Sequence, residues 1–282
     1  MSVRTLSRGR AGLLHLLLLS GAFCMVYPLL WMVGTSFKPD IEIFAQLNPL
    51  PHSLDFGNYV RGWVLGSGTS FATFYLNSFI VCAGTILGNL FSCSLAAYAF
   101  ARIKFRFKPF WFAIMLGTLM LPFHVTVVPQ YIIFDRLGWT NTFLPLIVPK
   151  FFAVDAFFIF LMVQFIRGIP VELEEAAMLD GCSRFGMFTK IILPLIKPAL
   201  VTTTIFTFIW TWNDFFSQLL YLNEEKKYTI SLGLRQFMDS SGTSSWGPMF
   251  AMTTLSLVPV IVVFLFFQKR LVEGIATTGL KG

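Results

Sequence analysis

The stretch 167-RGIPVELEEAAMLDGCSRFGMFTKIILP-194 carries four of the chain's fourteen acidic residues: Glu172, Glu174, Glu175 and Asp180. Long runs of Phe, Leu, Ile and Val flank it. "VELEEAAMLD" consists mostly of helix formers. Pro170 suits a first helical turn, where its missing N–H costs little. Three early glutamates complement the positive end of a helix. Gly181 suits the position just past the helix, where the chain turns left-handed. The pattern predicts a helix of about ten residues, too short to cross a bilayer. Its small Ala176 and Ala177 permit close approach by another protein. "SRFGMFTKII" then predicts a second short amphipathic helix capped by Ser183, and "LPLIKP" predicts a break in the chain.

Outward from this insert the sequence is that of an integral membrane protein. Of its 282 residues, 56% are hydrophobic and 12% charged, with a mean hydropathy of +0.72. Soluble domains carry about 25% charged residues. Six stretches, 13–37, 71–100, 110–133, 143–166, 199–222 and 249–267, approach the length of a spanning helix. The expected fold is all-α with six transmembrane helices in one domain, 1–282, and the acidic insert lying in a loop, 167–198, between helices 4 and 5. Arg4, Arg8 and Arg10 precede the first apolar run as in a signal peptide, but the run continues with no small-residue cleavage site, so it reads as an uncleaved helix. With both termini on the cytoplasmic side, fourteen of the twenty-one basic residues fall inside. That bias supports the orientation, and "ARIKFRFK" at 101–108 is its clearest cue. The same bias accounts for the net charge of +7 without nucleic acid.

Several function classes lack their residues. The four cysteines form no CxxC pair, and His15, His52 and His124 have no metal-ligand spacing. Neither HExxH nor GxSxG occurs, which removes the usual cues for a hydrolase. No phosphate-binding GxxxxGK[ST] loop occurs either. If ATP drives this protein, another chain binds it.

The physical reading of the insert leaves two settings open: a helix pair resting on lipid headgroups, or a docking element. An acid-rich helix suits an anionic leaflet poorly. Glu175-Ala176-Ala177, then Gly181, Ile191 and Leu193-Pro194, at this spacing resembles the EAA signature of ABC importer permeases. Nearly the whole chain is similar to the carbohydrate branch, the smaller MalG-like inner-membrane subunit. "NSFIV" at 77–81, "WTWNDFFSQLLYL" at 210–222 and the tail "LVEGIATTGLKG" at 271–282 carry that likeness, with Leu280 where the branch usually has Val. The resemblance implies a cytoplasmic coupling helix that docks on an ATP-binding subunit. It implies four partners: a second, MalF-like permease, a dimer of ATP-binding subunits, an extracytoplasmic sugar-binding protein and the lipid of a bacterial or archaeal cell membrane. It implies ATP and Mg on the partner ATPases and no cofactor or catalytic residue on this chain. Carbohydrate would move by alternating access. The cytoplasmic tail, 268–282, is implied to reach the ATPases, with Gly279 and Lys281 as its contacts. A secondary transporter is the alternative, and it predicts two related halves, which are not evident here.

Polar residues inside the membrane are costly and often face a cavity. Asn213 and Asp214, flanked by Trp210 and Trp212, are candidates for a translocation path, with Asn77 beside them. Helix–helix hydrogen bonding is the other reading of each. Asp155 is placed to pair with Lys150, and His124 is expected deep in the third helix.

Overall fold

The computed structural model describes residues 8–45, 48, 50–65, 68–238 and 245–279. The regular elements among the described residues are all helices, and one isolated bridge joins Val64 and Ser70. In chain order the first helices are α1 (Arg8–Thr35), α2 (Asp40–Ala45), α3 (Gly57–Trp63), α4 (Phe71–Arg102), α5 (Lys108–Thr118), α6 (Phe123–Arg136) and α7 (Leu144–Ile147). Next come α8 (Ala156–Arg167), α9 (Glu172–Leu179), α10 (Arg184–Met187) and α11 (Leu193–Leu195). The last are α12 (Lys197–Asn213), α13 (Phe216–Tyr221), α14 (Ile230–Gly233) and α15 (Trp246–Gly279). Four spans, Gly12–Thr35, Phe71–Arg102, Leu144–Arg167 and Trp246–Gln268, are long and apolar enough to cross a membrane, and two bent pairs raise the number to as many as six.

A bend in the third and a break in the fifth correct the expectation that both spans are continuous helices. α5 and α6 meet at 98°. Pro122, at the start of α6, has an extended ψ of 133°, so the α5 helix cannot run on through it. His124 therefore sits in the first turn of α6, exposed, rather than deep in a helix. The segment Arg184–Leu195 meets α12 at 74°, where "LPLIKP" predicts a break. α12 itself stops at Asn213 because Asp214 is extended, so the expected 199–222 helix is two pieces, α12 and α13. The sixth span, the shortest by sequence, begins at Trp246 in a helix of 34 residues.

The chain divides into two compact units. In the first, residues 1–71 with 234–258, α1 is apolar all round, as a lipid-facing helix is. After it, Asn58 donates to the carbonyls of Ser36 and Lys38 at 3.0 and 2.8 Å. Asp40 accepts from the Gly247 N–H at 2.6 Å. Lys38, Asp40 and Asn58 are thus tied into this unit by polar bonds.

The second unit, residues 72–233 with 259–282, is organised by α4. One face is apolar: Cys93, Ala97 and Tyr98 join Phe158, Ile159, Met162, Val163 and Ile166 of α8, and Phe188, Ile192, Ile196 and Ala199. The α8 residues recur at helical spacing and form the stripe that packs. Another face of α4 is polar: Asn77, Ser78, Thr85, Asn89 and Ser92 are all buried and bonded. In lipid such side chains join helices, since apolar burial gives no net drive between them. Gly84 and Gly88 let the 144–152 segment come close: a Cβ would stand 2.8 Å from Ile147 at the first and 2.9 Å from Lys150 at the second. This small-xxx-small pair is a membrane packing signal.

Candidate functional site

Two places concentrate polar groups in the second unit. The first is α9. The Val171 carbonyl accepts from the Glu174 and Glu175 N–H groups and opens the helix. Pro170 lies before this turn, so it precedes the helix rather than occupying its first turn. At the other end Gly181 has φ +78°. Its N–H donates to Met178 O at 3.0 Å, and the Cys182 N–H donates to Ala177 O at 2.9 Å. This is the Schellman closure that a glycine at that place permits. Ser183 accepts from the Gly186 N–H at 3.1 Å and caps α10. The π-helical segment Phe188–Ile192 follows.

The two faces of α9 differ. Glu174 is buried, and its Oε1 accepts from Arg102 Nε at 2.5 Å. Arg102 also donates through Nη2 to the Ile169 carbonyl at 2.5 Å. Glu175 and Ala176 are exposed, and Ala177 is half-buried. Leu179 is 91% exposed. Ile191 and Leu193 are half-buried, Leu193 packs on the α4–α8 core, and Pro194 is exposed. The signature residues thus divide between an outward surface on α9 and a packed foot near α12.

Arg102 and Glu174 were not singled out by sequence. A signal existed for Arg102: it lies one turn beyond Tyr98, on the same side of α4.

The second place is the broken end of α12. A cavity of 480 Å³ there is lined by Trp210, Asn213, Asp214, Thr85, Thr211 and Lys150, among others. A larger one of 1180 Å³ is walled by Trp111, Trp139, Trp210 and several Phe residues, with Lys150, Asp155 and Asp214 as its charged groups. Trp210 stacks on Phe158 at 5.3 Å and is half-exposed. Asn213 turns its amide to the Ile209 carbonyl at 2.8 Å. Asp214 accepts the Ser217 N–H at 3.0 Å and so opens α13. Lys150 binds both Asp155 oxygens, at 3.0 and 2.8 Å. The left-handed Ala153 between them brings the two together, rather than a continuous helix.

Trp210, Asn213 and Asp214 therefore come together on a cavity wall. Trp212 and Asn77 line neither cavity. Trp212 is buried against Tyr75, Phe79 and Phe208. Asn77 donates to the Lys226 and Tyr228 carbonyls, both at 2.9 Å. These bonds are the helix-joining alternative for Asn77. Gly279 ends α15, and Lys281 lies outside the described residues. Among the described residues no His, Cys, Asp and Glu group is arranged to hold a metal.

An apolar chain of several membrane-length helices, with a short polar helix set between two of them, defines a class: a multi-pass membrane protein. A family model described as "Binding-protein-dependent transport system inner membrane component" matches residues 88–277. The chain belongs to that family, and it is a multi-pass membrane protein. It is 41% identical over 92% of its length to a probable ABC transporter permease protein, YurM, of Bacillus subtilis, covering 84% of that protein. It is 33% identical over 95% of its length to the trehalose/maltose transport system permease protein MalG of Thermococcus litoralis, covering 97% of it. Among solved structures, a chain of a bacterial ABC transporter involved in the import of the acidic polysaccharide alginate superposes with a TM-score of 0.82. It shares 25% identity and covers 95% of this chain and 99% of its own.

Proposed function

We propose that this chain is a permease subunit of an ATP-binding-cassette importer that moves a carbohydrate across the membrane by alternating access. It forms one permease domain of six spans with both termini in the cytoplasm. Its partners are a second permease, a dimer of ATP-binding subunits that hold ATP and Mg, and an extracytoplasmic sugar-binding protein. Loop 167–198 is the coupling element. Glu175, Ala176 and Ala177 meet the ATP-binding subunit, Gly181 ends the helix so that it stays short, and Ile191, Leu193 and Pro194 seat the loop against the spans. The tail, with Gly279 and Lys281, reaches the same subunits.

The observation that carries the reading is the two-faced α9. One face is pinned by Arg102, while Glu175 and Ala176 face away from the chain. A helix in that setting transmits a push from outside. A carbohydrate is supported by family membership, by the sugar-named relatives and by the aromatic wall around Trp210, whose faces suit the C–H surfaces of sugar rings. Asn213 and Asp214 offer hydrogen bonds beside it.

The test is reconstitution of the chain with its partner subunits in liposomes containing the binding protein and a panel of labelled oligosaccharides. Uptake should require ATP hydrolysis and loaded binding protein. Uptake that follows an ion gradient with no ATP would instead identify a secondary transporter.

A further inference from the structure

α9 is joined covalently to α8 on one side and, through α10 and α11, to α12 on the other. The noncovalent contacts lead elsewhere. Arg102 is the last residue of α4. Its guanidinium holds Glu174 of α9 and the Ile169 carbonyl just before it. One turn back along α4, the Tyr98 ring lies 5.4 Å from Phe188, which opens the π-helical half of the same loop. Tyr98 and Arg102, four residues apart, share a face. The end of α4 thus grips both halves of loop 167–198.

The grip is built to be stiff. Side-chain exposure is 11% for Arg102 and 7% for Glu174. A buried carboxylate with a guanidinium partner is held in place because losing the partner leaves a charge out of water. A guanidinium fork presents its donors in a fixed plane, so two bonds from one group fix direction as well as distance. At its other levels α4 bonds to α12: Thr85 with Thr211 at 3.2 Å, and Asn89 with Thr207 at 3.1 Å. Thr85 and Thr211 both line the 480 Å³ cavity.

We infer that Arg102 and Glu174 are positioning residues that make α4 the load-bearing span of the importer, passing displacement of α9 to the cavity through the α4–α12 hydrogen bonds. The inference rests on the coupling role proposed for α9. It adds a specific route, since covalent continuity alone would send the load into α8 and α12.

The assembled importer in liposomes tests it, with ATP hydrolysed per solute imported as the readout. A purely structural role would lower both quantities together and leave the ratio unchanged. Glu174→Gln and Arg102→Gln should each raise the ratio about tenfold, and the exchange R102E with E174R should bring it back to within about threefold. If Glu175→Arg raises the ratio and the two inner variants do not, the route through α4 is wrong while the docking role of α9 stands. If none of them changes it, the docking role falls and the route with it. Should the single variants fail to assemble, a second measurement decides. Nitroxide amino acids at positions 91 and 172 of the otherwise native chain report the distance from α4 to α9. An unchanged distance with and without ATP supports the rigid seat; a shift beyond about 3 Å, more than a helix slides within a fixed packing, overturns it.

Discussion

On α9 a buried carboxylate meets a guanidinium; at the end of α12 a carboxylate meets only a backbone N–H. Both acids belong to an apolar chain, and both are held locally, but with different consequences. Glu174 is fixed in position by its partner and by burial, so it suits transmission of a force. Asp214 keeps part of its carboxylate on a cavity wall beside Trp210 and Asn213, so it suits contact with something that passes. Glu175, one residue from Glu174, shows the same contrast within one helix: its carboxylate faces outward. An acid in this chain takes its role from what answers it.

The largest effect that sharpens the contrast is expected at Gly181. A Cβ there meets nothing within 4 Å, so the cost of Gly181→Ala is backbone strain at φ +78° alone. That strain is about 1–2 kcal/mol, and uptake should survive it in part. Gly181→Trp adds bulk on the outward surface and should cut ATP-dependent uptake by about a hundredfold or more, by obstructing the partner. The separated ATP-binding subunits should retain their hydrolysis. Equal uptake by the two variants would show that nothing docks beside Gly181.

Next in size is Glu175→Arg, which should reduce stimulation of ATPase activity by loaded binding protein about tenfold or more, if this outward charge meets a cation on the partner. An unchanged stimulation curve would break the contrast between the two glutamates. Asn77→Ala removes a buried side chain that donates to the Lys226 and Tyr228 carbonyls and should cost about 1–3 kcal/mol of stability, with transport by the folded fraction unchanged. Thermal unfolding in detergent, read beside uptake per assembled complex, checks this. A loss of uptake without loss of stability would return Asn77 to the translocation path. Trp210→Ala should raise the KM of uptake by about threefold to tenfold with little change in the maximal rate, as expected for loss of one aromatic face.

The smallest effect concerns pH. Hydrogen bonds from Lys227 and Asn141 hold the Glu224 carboxyl below its ordinary range. A depressed folded-state pKa contributes stability that is present above the ordinary glutamate value and is lost as pH falls through the lowered one. Exposed as it is, Glu224 should leave the uptake profile flat from about pH 5 upwards, with losses confined to more acid solution. Neutralisation by Glu224→Gln should remove that acid limb alone. A change near neutral pH would assign the loop a different role.

Much of the architecture could be read from residue order. Long apolar runs must be helices in lipid, because no other element satisfies its own backbone there. Short-range chemistry predicted Gly181, Ser183 and the break at "LPLIKP", since caps and prolines act within a turn of their own position. The bend at Pro122 and the break at Asp214 escaped, because hydropathy averages over a window longer than either. So did the Gly84–Gly88 approach, whose meaning depends on which helix lies opposite.

By itself the sequence determined an all-helical membrane chain, a short capped acidic helix between two spans, and the family signature within it. Only the tertiary structure decided which acid faces inward. Glu174 and Glu175 are neighbours with the same side chain, the same helix propensity and the same place near a helix N-terminus. What separates them is Arg102, 72 residues earlier, and the helix face that carries it there. The same holds along α12, where Trp212 is buried by Tyr75 and Phe79 while Trp210 is left on the cavity wall. Partners distant in the chain make that choice, and their arrival depends on packing that no local pattern encodes.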